Sequence, residues 1–235
     1  MFKSGHFRVI RRDDIPLGGF AGIVETRMLM DPRLWPDARD RTDISHGLGD
    51  FIYAALGYFK PKDGAPTHPH ENVDIVTLVS SGSVGHKGTV GDGTVIQSLG
   101  AQVQRAGTGM LHSEFSASSE KADFVQMWFI PPEERLQPGY RNFPIPKNGN
   151  FVTVLGGDSP ESFDSRMRCQ IGWVPADQEF SHPASCIVIV FGGDGTANGE
   201  AISYADLVEA DSIEVLTNKG VGLILISYDD GLSPD

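Results

Sequence analysis

Two pairs of side chains in this sequence have the types and spacing of metal ligands. His68 and His70 are separated by one proline in THPHENVD, and His112 and Glu114 repeat that spacing in GMLHSEF. Side chains at i and i+2 of a β-strand point to the same face of the sheet. Two such pairs on neighbouring strands would bring three imidazoles and one carboxylate around one point. This set suits a divalent transition metal and leaves coordination positions free for water, substrate or oxygen.

A lone His-x-His pair is more often two polar residues in a surface loop than a metal site. The second pair changes this balance, because hairpins between the two pairs would return the chain to the same place. A closed structural zinc site would more often use thiolates, and Cys169 and Cys186 are near neither pair. Neutral imidazoles are needed for coordination, so we expect metal affinity to fall below about pH 6.5.

Other candidate residues have simpler interpretations. Asp74 shares the alternation of His68 and His70, and we expect it to orient a histidine from outside the ligand set. Four further histidines are predicted to lie in loops or on strands without a role in the site: His6, His46, His86 and His182.

Short apolar runs separated by turn residues predict an all-β fold. In FVQMWFI the residues Phe124 and Trp128 alternate with Val125 and Met127, so both faces are apolar and the strand is predicted to be covered on both sides. The proline-rich stretch 130–150 has no clear period and predicts a boundary. We therefore predict two β-domains, residues 1–135 and residues 145–235.

Composition excludes several classes of function. The net charge of −12 argues against nucleic acid as a partner, since phosphates are bound mainly by clustered Lys and Arg. Cys169 and Cys186 have no CxxC spacing and are predicted to be free, buried thiols. The first residues contain no uninterrupted apolar segment, and the longest apolar runs are far shorter than the roughly 20 residues that span a bilayer. We expect a cytoplasmic protein without membrane contact.

Longer motifs around both pairs resemble the pirin family of the cupin superfamily. These motifs are GAPTHPHENVDIVTLVSSGSVGH and AGTGMLHSEF, followed by QMWFIPPE and PGY. The cupin pattern is a glycine, His-x-His, an acidic residue and a glycine, then Gly-x-x-His, and the matching residues here are Gly64, His68, His70, Asp74, Gly82, Gly109 and His112. Asp74 departs from the glutamate that is usual in pirins.

The resemblance implies a bicupin, in which two antiparallel β-barrels follow one another and only the first binds a metal. It implies one divalent ion, with Fe(II) favoured and Mn, Ni, Cu and Zn as alternatives. The implied ligands are His68, His70, His112 and Glu114.

The resemblance leaves three functions open. Some bacterial pirins have quercetin 2,3-dioxygenase activity, which favours a dioxygenase that acts on a flavonol-like aromatic with dioxygen and uses Glu114 as its catalytic base. Eukaryotic pirin is a nuclear co-regulator of transcription, so the alternative is a non-enzymatic iron-binding protein that senses redox state or metal and works through protein partners. A non-oxidative cupin, such as an isomerase, is the third reading.

Overall fold

The computed structural model describes residues 1–229 of the chain. They form nineteen β-strands and two 3-10 helices, Arg12–Asp14 and Pro36–Ala38. The strands of the first half, including one within the proline-rich stretch, are β1 (Phe7–Ile10), β2 (Ile23–Met30), β3 (Phe51–Phe59), β4 (His68–His70), β5 (Asp74–Ser81), β6 (Ser83–Gly88), β7 (Val95–Gln97), β8 (Gly100–Arg105), β9 (Met110–Ser116), β10 (Ala122–Phe129) and β11 (Gly139–Pro144). The remaining strands are β12 (Phe151–Leu155), β13 (Met167–Val174), β14 (Gln178–His182), β15 (Cys186–Ala197), β16 (Glu200–Ser203), β17 (Leu207–Ala210), β18 (Ile213–Thr217) and β19 (Val221–Tyr228).

The first half of the chain is built from two antiparallel sheets. One has six strands in the order β11-β8-β5-β10-β3-β2, and the other has four in the order β4-β9-β6-β7. The second half forms a nine-stranded sheet around the path β1-β17-β15-β19-β13-β12. The predicted all-β class is therefore confirmed.

The N-terminal strand crosses between the halves. β1 pairs with β17, so Phe7 lies opposite Ala210, whereas β11 pairs with β8 in the first half. These two pairings do not test the domain limits at residues 135 and 145, which stay a prediction.

Strand β10 shows why both faces of a strand can be apolar. Val125, Met127 and Phe129 belong to the largest core, which also contains Ile171 and Ile189 of the second half. A fully buried side chain of this size contributes about 1.5–3 kcal/mol. The outward face of the six-stranded sheet is therefore a contact between the halves, as the apolar pattern of FVQMWFI predicts.

The opposite face of the same sheet turns toward the four-stranded sheet. Phe124 of β10 packs in a smaller core with Phe59, and the alternate residues Gln126 and Trp128 line a cavity between the sheets. The candidate site lies at this cavity, inside the first half of the chain.

The structure confirms one prediction about residues outside the site. Cys169 and Cys186 are free and buried, as predicted. No helix among residues 1–229 is long and apolar enough to cross a membrane, and the cytoplasmic location stays a prediction.

Candidate metal centre

Three histidines converge in the four-stranded sheet. β4 pairs with β9 so that His68 lies directly opposite His112, and His70 follows His68 on the same face. The ring centroids of the three residues are 4.5 to 4.9 Å apart. One ring nitrogen of each lies within 4.8 Å of those of the other two. The structure therefore brings together the three imidazoles that the spacing predicts.

Backbone contacts hold two parts of this arrangement. The Nδ1–H of His68 donates to the carbonyl of Pro66 at 2.7 Å, so Nε2 presents its lone pair. That Nε2 lies 3.1 Å from Nε2 of His112. Gly64 allows the approach of the preceding loop, because a Cβ there would lie 2.0 Å from the carbonyl oxygen of Glu114. This close approach explains the glycine at the start of the motif.

Glu114 is placed beside the histidines but is held by amides. Its carboxylate accepts hydrogen bonds from Gln102, from Gln104 at 3.1 Å and from Gln126 at 3.0 Å. Burial raises the pKa of this carboxyl group, although the nearby histidines and amides oppose the shift. Glu114 forms a second possible donor set with His112 and a further histidine, His86.

His86 is a site residue that sequence reasoning missed. β6 pairs with β9, and this register places His86 directly opposite Glu114. Its Nε2–H donates to the carbonyl of Val90 at 2.8 Å, while its ring lies against Tyr140 with centroids 4.9 Å apart. The sequence has no signal for this position, because the face that a strand residue takes depends on its register with β9.

The structure corrects the orienting role expected for Asp74. Asn72 has a φ of 51°, so the chain turns between His70 and β5 and the alternation counted from His70 is broken. Thr77 of β5 lies near Gln126 on the cavity side, so Asp74 takes the opposite face. Its carboxylate accepts two hydrogen bonds from Arg105, at 2.9 and 2.7 Å.

The donor set fits a divalent metal. Nδ1 of His86 and Nδ1 of His112 are buried and have no hydrogen-bond partner among residues 1–229. A buried lone pair without a donor is costly, and an ion is one way to satisfy it. His68, His70 and His112 form one group that would hold the ion, and His86, His112 and Glu114 form a second, so ligation by Glu114 together with His68 and His70 stays a prediction.

Burial keeps His70 and His112 neutral. Loss of solvent, with smaller contributions from neighbouring imidazoles, lowers the pKa of His70 and of His112 to about 3. These two residues need no deprotonation to coordinate at mildly acidic pH. The expected loss of affinity below about pH 6.5 therefore does not come from them.

The lowered pKa of His112 gives a testable pH dependence. The folded form keeps this residue neutral, whereas the unfolded chain protonates it near its ordinary pKa of about 6.5, so its contribution to stability is present above that pH and lost as pH falls toward 3. Between pH 7 and pH 5 we expect the metal-free protein to lose up to about 2 kcal/mol more unfolding free energy than His112→Gln. Urea unfolding with a chelator present measures both, and equal losses would contradict the lowered pKa.

The cluster opens onto a cavity of about 200 Å³ between the two sheets. His68, His70 and Glu114 line it. Its other walls are mainly aromatic or apolar, with Glu25, Arg27 and Gln126 as polar members, and the aromatic residues are Phe20, Trp35, Tyr53, Phe124 and Trp128. Metal ligands beside an enclosed aromatic surface are the arrangement of a site for a small aromatic molecule.

The remaining histidines lie elsewhere. His6 contacts Phe2 and Glu209, and His46 contacts the carbonyls of Ala38 and Arg41. His182 belongs to β14 in the second half. Apart from His86, the simple interpretations of these histidines agree with their positions.

Part of the chain is similar to a known protein family. Residues 33–129 match the family model for pirin. A quercetin 2,3-dioxygenase of Escherichia coli is 37% identical over 108 residues, which is 45% of each chain. A pirin-like protein of Caulobacter vibrioides is 26% identical over 69% of each chain. The chain therefore matches less than half the length of the first relative.

A solved structure extends the likeness to the whole fold. A bacterial pirin from Escherichia coli, in complex with nickel(II), has a TM-score of 0.81 at 20% identity over 95% of this chain and 99% of that one. At this identity the likeness concerns the fold, and it confirms the predicted bicupin architecture. Residues 33–129, which hold all four predicted metal ligands, therefore match the pirin family over part of the chain.

Proposed function

We propose that this protein is a metal-dependent dioxygenase that acts on a flavonol-like aromatic compound. The observation that carries the proposal is the convergence of His68, His70 and His112 at a cavity with aromatic walls. The name of the Escherichia coli dioxygenase, which is similar over 45% of this chain, supports the reaction class. Fe(II) is the favoured metal, with Mn, Ni, Cu and Zn as alternatives.

Each part of the cavity has a distinct role in this reaction. The histidines would hold the ion, which would supply a Lewis acid for the hydroxyl of the substrate. Glu114 lines the cavity and receives the proton of that hydroxyl as general base.

The glutamine amides fix the base. Gln104 and Gln126 donate to different oxygens of Glu114, so the carboxylate has one orientation relative to the cavity. Trp128 is held in turn, since its indole N–H donates to Gln126 at 3.1 Å. Glu114 and Trp128 are therefore held by one hydrogen-bond network, and both are pre-organised for the same substrate ring.

The proposal is tested by anaerobic reconstitution with each metal, followed by oxygen uptake with quercetin. We expect turnover with at least one metal, and Glu114→Gln to lower it at least about ten-fold while metal remains bound. Glu120→Gln, on an exposed loop, is the matched control and should keep full turnover. Full activity of Glu114→Gln would exclude the base role. Bound metal without oxygen uptake by any phenol would favour the metal-sensing alternative.

A further inference from the structure

The cavity beside the histidines has a second polar group that the ring-cleavage reaction does not use. Alternate residues of β2, namely Ile23, Glu25 and Arg27, face the cavity. Glu25 is buried, whereas the Arg27 side chain is 45% exposed. Arg27 therefore presents a cation at the edge of an otherwise aromatic space.

Arg27 is held in place by its neighbours. Its Nε–H donates to Oε1 of Glu25 at 2.9 Å, and the hydroxyl of Tyr53 donates to the same oxygen at 3.2 Å. A guanidinium has five N–H donors, and this bond uses one of them. The terminal fork matches a carboxylate in two-point geometry. Glu25 thus fixes the side chain without using the group that would bind an anion.

An aromatic wall lies beside this cation. The rings of Trp35, Tyr53 and Trp128 pack together, with centroids 4.8 to 6.1 Å apart. The Trp128 ring also meets the edge of His70, with centroids 5.2 Å apart. The wall therefore runs from the histidine cluster to Tyr53. The Tyr53 hydroxyl and Arg27 both donate hydrogen bonds to Glu25. A planar ring on this wall would lie between the metal ligands and the guanidinium.

The size of the cavity limits the ligand. Its volume of about 200 Å³ is below the roughly 300–1,000 Å³ of clefts that enclose drug-sized ligands. The enclosed space therefore suits one aromatic ring with its substituents. A fused or multi-ring compound would have to extend through the mouth.

An anion could reach Arg27 from outside. Arg27 and Glu25 also line an adjoining cavity of about 300 Å³, together with Gly18 and Arg41. The net charge of the chain is −12, so its overall field does not attract anions. Binding of an anionic ligand here depends on a local cation.

We infer that the enclosed ring carries a carboxylate, which Arg27 binds while the hydroxyl of the ring faces the histidine cluster. The preferred ligands are compact hydroxylated aromatic acids. This inference rests on the proposed function, since it takes the hydroxyl to face the metal, and it narrows the aromatic substrate of that function from a flavonol-like compound to a compact acid. The acid group and the residue that selects it are additional to that function.

The test compares charged and neutral ligands of the same shape. Nickel(II)-loaded protein is titrated without oxygen with the monohydroxybenzoates and with the matching hydroxybenzamides, and quenching of tryptophan fluorescence gives each Kd. We expect at least one acid to bind about ten-fold more tightly than its amide, because hydrogen bonds to a charged partner are the stronger ones.

Arg27→Gln should remove this preference and leave the Kd of the amide within about two-fold of its wild-type value. Arg27→Lys, which keeps the charge without the fork, should recover part of it. Arg39→Gln, an exposed arginine that lines neither cavity, should behave as wild type.

Three results would overturn the inference: equal binding of acid and amide by the wild type, equal weakening of both by Arg27→Gln, or no binding of either. Oxygen uptake is measured separately with the iron-loaded protein, so that failure of the carboxylate inference can be told apart from failure of the proposed function. A carboxylate preference without oxygen uptake would retain the inference and remove the dioxygenase. Oxygen uptake with quercetin but no carboxylate preference would do the reverse.

Discussion

Replacing His112 with alanine is expected to weaken metal binding by at least about 100-fold, beyond the usual 10–100-fold cost of losing a group that only supports a ligand. His112 belongs to both donor sets, one with His68 and His70 and the other with His86 and Glu114. Its Nε2 lies 3.1 Å from Nε2 of His68, so the His112→Ala protein loses a nitrogen from the centre of the cluster. Activity should disappear with the metal.

Chelator competition and elemental analysis of anaerobically reconstituted protein measure this loss. His6→Ala is the matched control, because His6 contacts Phe2 and Glu209 away from the cluster. His86→Ala separates the two donor sets. We expect it to weaken binding less than His112→Ala, since His68 and His70 remain. An unchanged metal content in a folded His112→Ala protein would remove the cluster as the metal site.

The convergence of the three histidines was predictable from two short segments. The i and i+2 spacing puts His68 and His70 on one face of β4. Because β9 is the neighbouring strand, His112 reaches the same point. The predicted ligand set therefore depended on local spacing and one correct assumption about pairing.

What was missed depended on register or on turns. His86 reaches the site because β6 pairs with β9 in one register, which no local pattern specifies. Asp74 leaves it because Asn72 takes a left-handed conformation that interrupts the alternation. The amides on Glu114 come from β8 and β10, so they required the order of the six-stranded sheet.

The fold shows the same division. The apolar alternation of FVQMWFI indicated a strand covered on both sides, and Phe129 and Phe124 lie in different cores. The pairing of β1 with β17 joins residues at opposite ends of the chain. Periodicity reports the surroundings of one strand, whereas such a pairing depends on the whole topology.

The second large effect is expected at Asp74, as a loss of stability with metal binding retained. Its side chain is fully buried, and that of Arg105 is 5% exposed. Removing one partner of a buried ion pair leaves an uncompensated charge and costs about 3–5 kcal/mol. We expect Asp74→Asn to lower the free energy of unfolding by this amount, measured by urea denaturation. Its metal affinity should stay close to wild type, because Asp74 faces away from the cavity.

Two further variants separate the buried pair from its surroundings. Asp164, from the second half, also accepts a hydrogen bond from Arg105, but its side chain is 76% exposed. A bond of that kind contributes about 0–1 kcal/mol, so Asp164→Asn should be nearly neutral. Combining Asp74→Leu with Arg105→Met should recover much of the stability that Asp74→Asn loses, since replacing both partners leaves no buried charge. If Asp74→Asn instead reduced metal affinity ten-fold at unchanged stability, Asp74 would orient a histidine after all. The effect of the substitution would then come from the metal site and not from the Asp74–Arg105 ion pair.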